Sequence, residues 1–218
     1  MNVLLINGSP HKHGSTDKAL RVVKKSLNEE GIETTVFWIG AKPVQGCVAC
    51  MACKKDESLK RCVMDDEVSH CTDLMLEADG IIIGSPVYFG GPSGSLCAFL
   101  DRAFYPVNRK LAHKLGASVT ALRRSGGTAT LNRMNLYFTN TQMHVVSSNY
   151  WPIIHGMVPQ EIECDLEGVE VLRSLGKNMA WLLKCIEKSG LRPPQQPIFT
   201  RTDFVRDDLV GLQKDKKE

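Results

Sequence analysis

Aromatic residues make up only 6% of the 218-residue sequence, and no apolar run approaches the ~20 residues needed to cross a bilayer. Charge of one sign is also scarce. Lys and Arg total 27 against 24 Asp and Glu, which leaves no electrostatic footprint for nucleic acid or an anionic membrane. The first residues, Met1-Asn2-Val3-Leu4-Leu5-Ile6, carry neither a basic leader nor a cleavage site and read as a first strand, so a cytoplasmic protein is expected. No internal repeat interrupts the chain. Cysteine, by contrast, is plentiful. Eight cysteines without a secretory signal argue for thiols or metal ligands over structural disulfides.

At 43% hydrophobic, the chain can bury one good-sized core, in a single domain with extensions. Short apolar runs at Val3–Ile6, Thr35–Trp38, Ile81–Ile83, Val119–Leu122 and Met143–Ser147 suit strands buried on both faces. Between them Asp17–Glu30, Asp65–Ala78, Pro92–Phe104 and Thr128–Thr141 have helical spacing or helix-start signals. Such alternation predicts an α/β doubly wound fold of three layers, flavodoxin-like, with a five-stranded parallel sheet in the order 2-1-3-4-5. A long amphipathic helix over Glu167–Lys188 places Val171, Leu172, Leu175, Met179, Leu182, Leu183 and Ile186 on one face. The expected domain spans 1–190, with a cysteine-rich insertion at 40–64 and a C-terminal arm at 191–218.

In open α/β sheets ligands sit beyond the carboxyl ends of the strands. The loop after the first strand, 7–16, contains Ser9, His11, Gly14, Ser15 and Thr16 and leads into a helix N-terminus, an arrangement that makes an anion site. Its Gly8-to-Gly14 spacing is one residue too long for a Walker A loop, and no lysine precedes Ser15. A hydroxyl-rich loop of this kind suits a single terminal phosphate such as that of FMN; an N-capped turn without ligand is the plainer reading. After the third strand come Pro86, Val87, Tyr88, Phe89 and Gly90, with backbone that can approach a flat ring and aromatics that can stack or simply pack. After the fourth come Arg124, Ser125, Gly126 and Gly127, again at a helix start, where the arginine faces either a phosphate or solvent. Three such loops in register are a stronger signal than any one alone.

Cys47-x2-Cys50-x2-Cys53-x8-Cys62 places four thiols within sixteen residues. Tight Cys-x2-Cys-x2-Cys spacing gathers three sulfurs around one small site, as a [4Fe-4S] cluster requires. Thiols without metal remain open, and zinc would more naturally use two separated Cys-x2-Cys pairs or histidine. Cys71, Cys97 and Cys185, on expected helices, read as small buried hydrophobes. His113, His144 and His155 have no partner legible in the sequence.

The sequence resembles the NAD(P)H-dependent FMN reductase group of flavodoxin-like proteins and, within it, the iron–sulfur flavoproteins. The segments that carry this are Asn-Gly-Ser-Pro at 7–10 with Ser15-Thr16, Gly-Ser-Pro-Val-Tyr-Phe-Gly at 84–90, Phe99-Leu100-Asp101-Arg102, the 123–127 loop, Ser148-Asn149-Tyr150-Trp151 with His155-Gly156, and 178–184. The resemblance implies FMN with its phosphate at Ser9, Ser15 and Thr16 and its ring along Pro86–Gly90 and near Ser125–Gly127. It also implies a homodimer or dimer of dimers. The last cysteine gap, eight residues, is longer than is usual in that group. The implied chemistry is hydride transfer from NAD(P)H to FMN and onward to an acceptor, without an acid–base or nucleophilic side chain of the triad kind. The alternatives are an iron–sulfur electron carrier supplied by a ferredoxin-like donor and a flavin-binding redox sensor.

Overall fold

A computed structural model describes residues 1–56 and 58–194, the side chain of Asn108 excepted; beyond Pro194 the expected arm lies outside the described residues. The elements run β1 (Asn2–Asn7), α1 (Ser15–Glu29), β2 (Glu33–Trp38), α2 (Ala52–Lys55), α3 (Glu67–Glu77), β3 (Gly80–Tyr88) and β4 (Gly91–Pro92). They continue with α4 (Gly94–Val107), β5 (Leu115–Leu122), α5 (Gly127–Asn140), β6 (His144–Val145), β7 (Ile153–His155) and α6 (Leu166–Ser189). The sheet order is β2-β1-β3-β5-β6, with β1, β2, β3, β5 and β6 all parallel, and β7 also pairs in parallel with β5. This is the expected flavodoxin-like order, and no helix among the described residues is long and apolar enough to cross a membrane.

Side chains alternate along each strand and so feed two cores. On one face Leu4, Ile6, Ile81 and Ile83 pack with Met75 of α3, Phe99 and Leu100 of α4, and Met134 and Phe138 of α5. On the other, Val3, Leu5, Ile82, Leu115 and Val119 meet Ala19, Leu20, Val23 and Leu27 of α1 and Leu172, Leu175 and Met179 of α6. The helix α6 buries the expected stripe except at its end, where Ile186 is half exposed. It approaches α1 closely because Gly176 has no Cβ; one placed there would lie 2.7 Å from Ser26 Cβ and 3.0 Å from the Val23 carbonyl.

The fifth strand departs from expectation. In place of one strand over Met143–Ser147 there are two short pieces, β6 and β7, making a seven-stranded sheet when the β4 hairpin is included. The cause lies in α6. Ser148 Oγ donates to the Val171 carbonyl at 2.6 Å and Asn178 Nδ2 to the Ser147 carbonyl at 2.9 Å, which draws the chain off the sheet edge. The chain returns where Thr120 N–H donates to the Pro152 carbonyl.

A Cβ at Gly116 would stand 2.6 Å from the buried Phe138 ring. Gly116→Ala is therefore expected to cost about 1–3 kcal/mol of stability in denaturant unfolding. A change below ~0.5 kcal/mol would mean that α5 can move away from β5 freely, contrary to the packing described.

Candidate functional site

Loop one is built by its neighbours before any ligand is considered. Asn7 Oδ1 accepts from the Ser9 N–H at 3.0 Å, and its Nδ2 donates to the Lys12 carbonyl. Ser9 Oγ accepts from the His11 N–H at 3.1 Å, and Trp38 Nε1 donates to the Ser9 carbonyl at 2.8 Å. The helix α1 then starts at a Gly14 N-cap with no side chain bonded to its first N–H groups. The Thr16 hydroxyl is buried there with no partner. Unbonded helix N–H groups and an orphaned buried hydroxyl fit a phosphate, the group that would satisfy both. A Cβ at Gly14 would press on His11, 3.0 Å from its Cβ, so the turn is shaped for glycine.

The three loops interlock. Gly8 N–H donates to the Gly84 carbonyl at 2.8 Å, and Ser93 Oγ donates to the Gly8 carbonyl at 2.8 Å. Gly126, at φ 90°, lies so near loop two that a Cβ on it would be 2.8 Å from Gly90 Cα. Together they enclose a cleft of about 820 Å³, with Ser9, His11, Gly14, Ser15 and Thr16 at one end and Pro86, Val87 and Tyr88 along the wall. A second cleft of about 460 Å³ adjoins it at Leu122 and is lined by Arg124, Ser125, Gly126 and Gly127 with Tyr150, Trp151 and His155.

Two expected ring contacts lie elsewhere. Phe89 and Gly90 line neither cleft. Both have positive φ, 50° and 79°, and form the two-residue turn of a β3–β4 hairpin in which Tyr88 pairs with Gly91. That combination is a type I′ turn, and it holds the Phe89 ring fully in solvent. Arg123, one residue before the expected Arg124, lines the larger cleft together with Lys12, and Arg124 lines the smaller one. Trp38 and the structural role of Asn7 were not foreseen, nor was Met157. The register that sets Asn7 opposite Trp38 would have revealed the first two, because β1 and β2 end side by side.

Cys47, Cys50, Cys53 and Cys62 line one small cavity of about 30 Å³ under α4, walled by Val48, Met51, Val63 and Met64. Ala49 and Met51, at φ 54° and 61°, lie between successive cysteines, so the backbone bends twice through left-handed conformations to bring the sulfurs to one side. All eight cysteines are free. Burial, and then the nearby sulfurs of Cys62, Cys50 and Cys47, push the Cys53 thiol up against the opposing influence of Lys54. Among the described residues no three Cys, His, Asp or Glu side chains converge as a single ion would need. Four thiols around an apolar hollow match the donor set of a cluster, which spreads its ligands over a larger body.

The loop is fastened by Arg102 of α4, whose side chain is fully buried. Its guanidinium holds Asp66 through two bonds, 2.7 and 2.9 Å, reaches the Gln45 carbonyl at 3.1 Å, and lies 3.4 Å from Cys62 Sγ. Burial opposes its charge, but Asp66 and the Cys62 sulfur more than offset this and raise its pKa. Asp66 also caps α3 by accepting the Val68 N–H.

Residues 1–157 match the family described as NADPH-dependent FMN reductase. The chain belongs to that family. An iron-sulfur flavoprotein of Methanocaldococcus jannaschii is 36% identical over 197 residues, covering 86% of this chain and all of the relative. One from Methanosarcina thermophila is 30% identical over 194 residues, covering 87% and 98%. A WrbA-like flavodoxin structure from Agrobacterium tumefaciens superposes with TM-score 0.60 at 20% identity, covering 84% of this chain and 98% of that one, and supports the fold. As a member of this family the chain is an FMN-dependent oxidoreductase.

Arg102→Leu is expected to cost toward the lower end of about 3–5 kcal/mol, because Asp66 keeps 39% of its side chain in solvent and is not wholly stranded. Urea unfolding measures this, and faster reaction of Cys62 with a thiol reagent should accompany it. A loss below ~1 kcal/mol with unchanged thiol reactivity would show that the cysteine loop is fastened otherwise.

Proposed function

We propose that FMN binds with its phosphate at Ser9, Ser15 and Thr16 in the larger cleft and its ring along Pro86–Tyr88, reaching toward Ser125–Gly127 where the smaller cleft adjoins. Cys47, Cys50, Cys53 and Cys62 hold a [4Fe-4S] cluster, and the protein is an NADPH-linked reductase in which both redox groups take part. Bound FMN supplies hydride and one-electron chemistry, and the cluster supplies single electrons. The chain's own work is positional. Thr16 and the open N-terminus of α1 anchor the phosphate; Arg123 and Lys12 set a positive potential around it. Arg102 fixes the cysteine loop and places a cation beside the sulfur of Cys62.

The observation that carries the cluster reading is the strained backbone at Ala49 and Met51, which turns four cysteines onto one hollow. The names of the relatives from Methanocaldococcus and Methanosarcina support it. Eight free thiols suit a reducing cytoplasm. Exposed Tyr150, Trp151 and Met157 beside the clefts suit a homodimer, and the cysteine hollow suits exchange with a ferredoxin-like donor.

Purified without oxygen, the protein should contain flavin with about four iron and four sulfide per chain, and Cys50→Ser should lose iron while keeping flavin. Flavin without iron, even after reconstitution, would remove the cluster and leave redox-sensitive thiols.

A further inference from the structure

His155 closes β7 opposite Leu122 and lines the smaller cleft across from Arg124–Gly127. It is tied to Asp165 at two points: its backbone N–H donates to Asp165 Oδ2 at 2.8 Å, and its ring Nδ1 lies 3.2 Å from the same oxygen. The other carboxylate oxygen accepts the Gly168 N–H at 2.9 Å. A Cβ at Gly168 would fall 2.5 Å from Asp165 Oδ2, so the carboxylate is seated where only glycine lets the backbone of α6 approach. Burial raises the Asp165 pKa, but these hydrogen bonds outweigh it and hold the carboxyl below its ordinary range. A carboxylate can only accept, so Nδ1 carries the proton and Nε2 is left to the cleft. The ring is half exposed while Asp165 is 20% exposed.

We infer that His155, oriented by Asp165, donates a proton to the oxygen of a quinone-type acceptor bound in the smaller cleft. The inference rests on the flavin reading of the adjoining cleft. An acceptor that takes hydride from reduced FMN gains two electrons and one proton; it needs a second proton on its other oxygen to leave as the hydroquinone, while the flavin returns to its oxidised form. The donor is the doubly protonated ring: Nδ1–H stays on Asp165, the N–H bond at Nε2 breaks as an O–H bond forms, and solvent then restores the Nε2 proton to the exposed ring. Asp165 stays ionised and acts as a positioning residue. The other charged groups around the dyad are Glu167 on α6, Arg124 on the third loop, and Glu161 and Glu163 on the turn at Pro159–Cys164, the last paired with Lys18 of α1.

The test compares turnover of the FMN-loaded protein with a benzoquinone and with ferricyanide, which takes electrons without a proton. In H155Q the quinone-to-ferricyanide ratio should fall about 10²-fold. The wild-type quinone rate, but not the ferricyanide rate, should decline toward alkaline pH, and that limb should vanish in H155Q. Nitrogen-15 NMR of the FMN-free protein should find the neutral ring protonated at Nδ1, and D165N should shift it toward the Nε2 form. An unchanged ratio, a retained pH limb, or a wild-type ring protonated at Nε2 would overturn the assignment. A wild type that reduces neither acceptor would overturn the flavin reading and this one with it.

Discussion

Asn7 stands opposite Gly84, and Gly84 opposite Val119, in the parallel registers of β1, β3 and β5. Because parallel strands end on the same side of a sheet, this pairing brings three loops from distant parts of the sequence to one edge. Everything in the proposed flavin site depends on it. The Gly8 N–H can reach the Gly84 carbonyl, and Gly126 can touch Gly90, only while those strand ends stay level. The two cores on either face hold them so, through residues that alternate strictly along β1: Val3 and Leu5 to one side, Leu4 and Ile6 to the other. A slip of one residue would exchange every side chain between faces.

The cysteine loop obeys a different physics. It lies outside the sheet and leaves Val48, Met51 and Val63 about half exposed, so polar contacts define it. Arg102 gathers Gln45, Asp66 and Cys62 around one buried guanidinium, fixing both ends of the loop to α4. Burying such a charge is costly unless it is well paired, and here two carboxylate bonds and three further acceptors, the Gln45 and Met64 carbonyls and Cys62 Sγ, satisfy it. The same contact caps α3 through Asp66, so loop position and helix start are set by one cation.

Much of this was legible in the sequence, and the reason is periodicity. The helix α1 buried Ala19, Leu20, Val23 and Leu27 as their spacing required, and the strand order followed from the alternation of apolar runs and helices. Glycine and hydroxyl residues marked loop one, whose turn the structure builds around Asn7, Ser9 and Gly14. What stayed hidden depends on contacts between distant residues. Arg102 reads as a helix-surface charge until Asp66, 36 positions earlier, is seen beside it. The break in the edge strand comes from α6 capturing Ser147 and Ser148, and His155 acquires a role only through Asp165. Phe89 was misplaced because an aromatic in a glycine-rich loop does not say which way its ring points; the left-handed turn decides that.

The phosphate end of the larger cleft is the most direct place to test the account, by titrating flavin-free protein with FMN and with riboflavin. If the orphaned Thr16 hydroxyl and the open end of α1 receive the phosphate, FMN should bind at least about 10²-fold more tightly than riboflavin. Thr16→Val should weaken FMN binding by about tenfold or more while leaving riboflavin binding little changed, since a bond to a charged group is worth about 1.5–3 kcal/mol. Equal affinity for the two flavins, or equal loss of both in the variant, would contradict the account.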